Sequence, residues 1–154
     1  MFLLIVTSVL AYFVLQVAEA CSILQQAKSD LSTLAGRGIS IRVTGVSHFY
    51  ERVLIACVDQ SPALLEYARA IQNLLERFIA DSREFNPHVT ILKLTRENER
   101  DVGSDRVPRW IYAKFKNRDF GKQPVSTIDL CAMSHYIKRP EGKFYVTPLH
   151  LDLL

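Results

Sequence analysis

The run Ile39-Ser40-Ile41-Arg42-Val43-Thr44 alternates apolar and polar residues, and a second strand-forming stretch, Arg52 to Val58, follows after a break at Gly45 and Ser47. Alternation of this kind marks a half-buried strand. Strands joined by so short a connection run antiparallel, because a parallel return needs a crossover of about a dozen residues or more. The pair excludes a doubly wound parallel sheet and points to an α+β domain. A helix comes next. Ser61 offers an N-cap oxygen, and Pro62 takes the first helical position, where its missing N–H is not needed. Leu64, Tyr67, Ala68, Ile71, Leu74, Leu75 and Phe78 form an apolar stripe that predicts a helix through about residue 81.

Further along, Phe85-Asn86-Pro87 fixes an extended entry into a strand over residues 88–94. The charged stretch 96–106 reads as a solvated loop, 107–115 as a short helix and 125–133 as a strand. Arg139-Pro140-Glu141-Gly142 is a turn signal, and a final strand over 143–153 alternates at Leu149, Leu151 and Leu153. The predicted order is β-α-β-β-α-β, a loop or short helix, then β-β. Its two strand-helix-strand blocks look like a duplicated unit. A chain of 154 residues suits one domain, and 49% apolar against 23% charged residues excludes a disordered chain. The formal charge of +3 admits an anionic ligand without announcing a nucleic-acid surface. Cys21, Cys57 and Cys131 are widely spaced and form no C-x-x-C pair. They read as buried thiols in a reduced compartment, not as a disulfide scaffold or a zinc site.

Two readings compete at the N-terminus. Residues 1–18 carry no charge, and Ala18-Glu19-Ala20 before Cys21 has the small-x-small form of a signal-peptide cleavage site, although no Lys or Arg precedes the apolar run. The run barely reaches the length of a membrane span, so membrane insertion is not expected. In the other reading, residues 3–14 are a buried strand feeding a helix, because Val17, Ala20, Cys21, Leu24, Ala27, Leu31 and Leu34 fall on one helical face. Cleavage after Ala20 would cut into that face.

The chemistry lies on one strand. In Pro87-His88-Val89-Thr90-Ile91, strand parity points His88, Thr90 and Leu92 one way and Val89, Ile91 and Lys93 the other. Val89 and Ile91 suit a core, which leaves an imidazole and a hydroxyl together on the opposite face, with Lys93 turned away. An imidazole takes or gives a proton near neutral pH, and a hydroxyl beside it donates to a phosphate oxygen. That is half of a phosphoester site; the other half is a second imidazole. H-x-T alone is common by chance. His150-Leu151-Asp152 reads as an exposed strand pair, His135 as solvated beside a turn, and His48 as part of a structural turn. No P-loop, Rossmann glycine fingerprint, H-E-x-x-H or nucleophile elbow is present.

The longer string Phe85-x-Pro87-His88-Val89-Thr90-Ile91-Leu92-Lys93-Leu94 resembles the second signature of the 2H phosphoesterase superfamily. It is most similar to the branch typified by the 2′,5′-RNA-ligase-like domain of A-kinase anchoring proteins. The likeness extends through Gly45-Val46-Ser47-His48-Phe49, Val53-Leu54-Ile55-Ala56, the helix from Leu64 to Phe78, Tyr112, Lys114 and Phe115, Phe120-Gly121, and Ile128-Asp129-Leu130-Cys131 with Met133. It covers roughly residues 17–152.

The resemblance implies a two-lobed α+β fold with antiparallel sheets and a pseudo-twofold repeat, each lobe supplying one H-x-T strand. It also implies binding of nucleotides or action on 2′,5′-linked or cyclic phosphodiesters, without metal or cofactor. Carried onto this chain, His88 is a general acid/base, Thr90 contacts the phosphate and Phe120 flanks a base. The first H-x-T is missing, because no His precedes His48. Ile5-Val6-Thr7 is its nearest remnant. The expected layout is therefore a single domain over 1–154 with an incomplete N-terminal lobe. Residues 1–16 are an apolar strand or signal-like segment, 17–60 the rest of the first lobe, and 61–154 the second lobe with the motif.

Substantial turnover is not expected of the chain as written. A phosphodiesterase is expected if the missing motif lies upstream, with a nucleotide or short RNA phosphodiester as partner. Kinship also implies a second role, anchoring the regulatory subunit of protein kinase A, although no amphipathic docking helix is legible after Met133. The expected location is the cytoplasm or nucleus; the alternative is the secretory pathway, as a secreted or membrane-tethered domain, if residues 1–20 act as a signal segment.

Overall fold

Residues 4–5, 14–79, 85–96, 98–132 and 146–153 are described by a computed structural model. In chain order the elements are β1 (Leu4–Ile5), α1 (Val14–Gln26), α2 (Lys28–Ala35), β2 (Ser40–Phe49), β3 (Val53–Val58), α3 (Pro62–Leu74), β4 (His88–Lys93), α4 (Glu99–Val102), α5 (Arg109–Tyr112), β5 (Asp119–Pro124), β6 (Thr127–Ala132) and β7 (Val146–Asp152). Single 3₁₀ turns lie at Glu76–Phe78 and Ala113–Phe115. The mixture of helices with largely antiparallel sheets is the α+β class that the short connections demanded. It divides into two units, each drawn from separate stretches of chain: Met1–Ile39, Pro62–Phe85 and Pro124–Leu154 in one, Ser40–Ser61 and Asn86–Gln123 in the other.

In the first unit, the three-stranded sheet runs β1-β6-β7. β6 and β7 pair antiparallel and match Ile128 with Leu151 and Leu130 with Leu149, all buried. β1 joins β6 in parallel, with Leu4 opposite Ile128 and Ile5 opposite Asp129. This departs from the expected all-antiparallel pairing, because the short-connection rule does not bind strands so far apart in sequence. α1, α2 and α3 pack on one another, and α1 reaches β7. Ala20, Leu24, Leu31, Leu64, Tyr67 and Ile71 are among the buried side chains they contribute. The expected single helix from Val17 begins at Val14 and breaks at Ala27, where φ is −80° and ψ opens to 1°.

α1 runs without interruption through Ala18-Glu19-Ala20, and Ala20 has no exposed surface. Residues 14–26 are thus helical in the uncleaved chain, as the strand-then-helix reading expects from Val17 onward. Among the described residues no helix is long and apolar enough to cross a membrane. α3 ends at Leu74, short of residue 81. The Leu75 N–H is shared between the carbonyls of Ile71 (3.2 Å) and Gln72 (3.1 Å), which tightens the chain into the 3₁₀ turn. The predicted turn at 139–142 and the start of the last strand, 143–145, lie outside the described residues.

The second unit is a four-stranded sheet in the order β4-β3-β2-β5. β2 does not stop at Gly45 but continues to Phe49, with a register shift between Val43 and Val46. Gly45 has φ of +67°, and its N–H donates to the carbonyl of Arg118 at 2.6 Å. A Cβ at this position would overlap the Lys116 carbonyl oxygen. The hairpin tip then turns through Tyr50 and Glu51, both at positive φ. Val46, Leu54, Leu94 and Val107 form the core on one face of this sheet, with Leu92, Tyr112 and Phe115 packed against it.

The charged stretch after residue 96 is not a free loop. The Arg52 guanidinium donates to the Asp105 carbonyl at 3.0 Å and pairs with the Glu99 carboxylate, holding α4 in place. β5, which the sequence does not predict, forms the far edge. There the Arg42 guanidinium donates to Asp119 at 2.7 Å and holds that carboxyl below its usual range. Gly45→Ala combines a disfavoured φ with a backbone clash, so it should lower stability by about 1–3 kcal/mol. Gly38→Ala, also at positive φ but with open space around it, should lose less. Urea unfolding midpoints of the two variants check the order.

Candidate functional site

β4 and β3 pair antiparallel with Cys57 opposite His88, Ala56 opposite Val89, Ile55 opposite Thr90, Leu54 opposite Leu92 and Val53 opposite Lys93. The register shifts between Leu54 and Ile55, which leaves Ile91 as an extra residue in β4. β3 keeps strict alternation, so Val53, Ile55 and Cys57 share one face. Residues directly opposite in an antiparallel pair point the same way. His88, Thr90 and Lys93 therefore share a face, while Leu92 joins the core on the other side with Leu54.

This corrects simple parity at three positions. Leu92 does not accompany His88, Lys93 does not turn away from it, and Ile91 is 52% exposed instead of lining a core. The physical cause is the bulge: one surplus residue inverts the alternation of everything after it.

His88 is exposed at the head of β4. Its Nδ1 lies 2.8 Å from the carbonyl oxygen of Asn86. A carbonyl only accepts, so Nδ1 carries the hydrogen and donates, and the neutral ring keeps its lone pair on Nε2. The Phe49 ring meets the imidazole edge to face, centroids 4.9 Å apart and planes at 89°. The backbone carbonyl and the phenyl ring together fix the imidazole's tautomer and orientation. Thr90 is exposed one pleat further on, about 7 Å away along the strand. Across from His88, burial pushes the Cys57 thiol up, so it stays protonated and does not compete as a nucleophile. The arrangement offers a base at Nε2, or an acid when protonated, beside a hydroxyl donor. Among the described residues no group of three or more His, Cys, Asp or Glu is placed to hold a metal ion.

The other candidates fall elsewhere. Phe120 turns its ring to Phe115, with centroids 6.5 Å apart, and Phe115 belongs to the core on the face opposite His88. The structure does not bring it beside His88. His48 Nδ1 accepts the Glu51 N–H at 3.2 Å and its ring meets Tyr112, so it serves the hairpin tip. Ile5 pairs with Asp129, Val6 and Thr7 lie outside the described residues, and so does His135.

His150 and Asp152 do alternate on β7, but His150 has a cross-strand partner that the sequence reading did not find. Its Nδ1 donates to the Asp129 carboxylate directly opposite on β6 at 2.5 Å, and its Nε2 lies 3.2 Å from Asp152. The Asp129 side chain is 11% exposed. The hydrogen bond to Asp129, and then its charge, raise the His150 pKa above the usual histidine value.

A family model described as the AKAP7 2′5′ RNA ligase-like domain matches residues 13–153. Human A-kinase anchor protein 7 isoform gamma is 29% identical over 119 residues, which cover 73% of this chain and 33% of that protein. The chain thus spans about a third of the length of the curated relative it matches.

A histidine with a raised folded pKa adds stability that is fully present below its unfolded value, about 6.5, and is lost as pH rises through the folded value. Asp129→Asn should therefore lower the His150 titration midpoint, read by NMR. It should also destabilise the protein more at about pH 6 than at about pH 9. An unmoved midpoint would show that Asp129 does not set the charge of His150.

Proposed function

We propose that this chain, which belongs to the AKAP7 2′5′ RNA ligase-like domain family, binds a nucleotide or a 2′,5′-linked or cyclic phosphodiester at His88 and Thr90. One observation carries the reading. An imidazole whose Nδ1–H is engaged by Asn86 presents Nε2 on the same exposed strand face as a hydroxyl. The hydroxyl suits a phosphate oxygen, and Nε2 suits proton transfer to or from an ester oxygen. The family description supports a phosphoester ligand over other anions.

Efficient cleavage needs a second acid/base group, one to activate the attacking oxygen and one to protonate the leaving oxygen. Loss of one such group lowers a rate by about 10²- to 10⁴-fold. The first H-x-T has no histidine in this chain. The activity proposed for these 154 residues is therefore binding, with weak or no turnover, and phosphodiester cleavage where a first H-x-T lies upstream of them.

The name of the human relative supports a second reading, an anchoring role toward protein kinase A. Anchoring needs neither His88 nor Thr90, so the same variants separate the two. Calorimetric titration with AMP and with a 2′,5′-linked dinucleotide should show binding to the wild type. His88→Ala and Thr90→Val should each weaken it by about tenfold, as expected for losing a phosphate hydrogen bond. Equal binding by all three proteins would remove the site. Capture of the kinase regulatory subunit, undiminished in His88→Ala, would favour anchoring.

A further inference from the structure

We infer that Lys93 is the phosphate-binding cation of this site, turned onto the face of His88 and Thr90 by the bulge at Ile91. The inference rests on the nucleotide-binding reading above and names a residue that strand parity excludes. Lys93 stands opposite Val53, two register positions beyond Thr90, which stands opposite Ile55. Its Cα is therefore about 7 Å from that of Thr90, measured along the strand. A flexible four-carbon stem brings an ammonium across that distance.

The backbone root of Lys93 is held firmly. Its carbonyl accepts the Asn98 side-chain amide at 2.9 Å, and Asn98 also accepts the Thr95 N–H at 2.7 Å. The next residue, Leu94, donates to the Arg52 carbonyl at 2.8 Å. The side chain itself is exposed and has no ion pair among the described residues. Two carboxylates of this unit are already paired with other cations, Glu51 with Arg106 at 2.9 Å and Glu99 with Arg52. A cation with no ion pair among the described residues, on a fixed root beside an imidazole and a hydroxyl, fits a phosphate monoester or diester oxygen.

The test compares AMP with adenosine, which differ by the phosphate alone. Lys93→Met should weaken AMP binding by about tenfold, as expected for one charge-assisted contact, and leave adenosine within about twofold. Lys93→Arg should keep most of the AMP affinity. Lys28→Met changes the net charge equally in the other unit and should leave AMP binding unchanged. Thermal unfolding of each variant confirms that it folds.

Wild-type binding of AMP with no loss in Lys93→Met would overturn the inference while leaving the site at His88 standing. Equal losses for AMP and adenosine, or an equal loss in Lys28→Met, would also overturn it. If the wild type binds neither ligand, the nucleotide-binding reading fails and this inference fails with it.

Discussion

β4 holds one residue more than the stretch of β3 it pairs with, and that surplus residue is Ile91. A sheet has only two faces, so an added residue reverses the assignment of every side chain beyond it. Before the bulge, His88 and Thr90 lie with Cys57 and Ile55. After it, Leu92 drops into the core beside Leu54 and Leu94, and Lys93 returns to the face of His88. The bulge thus meets two demands at once. It lets an apolar residue close the core under α5, and it delivers a cation to the polar face. Regular pairing from His88 to Leu94 would bury Val89, Ile91 and Lys93 on one side, an unpaired ammonium among them, at a cost of several kcal/mol.

Each unit holds an imidazole whose Nδ1 is fixed by a different acceptor. Asn86 offers His88 a neutral carbonyl, which selects a tautomer without adding a charge. Asp129 offers His150 a nearly buried carboxylate, which selects a tautomer and also favours the cation. The first arrangement leaves a ring free to accept or release a proton at Nε2. The second holds its proton more firmly and ties β6 to β7. The same side chain is thus held by a neutral backbone acceptor in one place and by a carboxylate across a strand pair in the other.

Elements whose signal is local were legible in the sequence. α3 follows from Ser61-Pro62 and the Leu64–Leu75 stripe, and β3 and β4 from their β-branched runs. Features that depend on pairing were not. Thr90-Ile91-Leu92 carries no mark of a bulge, because a bulge is a mismatch in length between two strands. β5 contains Gly121 and Pro124 and no alternation, and it becomes a strand by adding to the edge of β2, where such residues are tolerated. The Asp129–His150 pair depends on the register of β6 against β7, which neither strand specifies alone. Phe49 reaches His88 only because β2 runs through Gly45 instead of ending there. The sequence therefore places the imidazole and the hydroxyl on one face, and tertiary structure supplies what orients the imidazole.

The account stands on the state of one ring. Long-range ¹H–¹⁵N NMR of labelled protein reports which imidazole nitrogen carries hydrogen. It should show neutral His88 with hydrogen on Nδ1, and AMP should shift the Nε2 resonance and the amides of residues 88–93. Hydrogen on Nε2, or a His88 ring that AMP leaves unmoved, would contradict it.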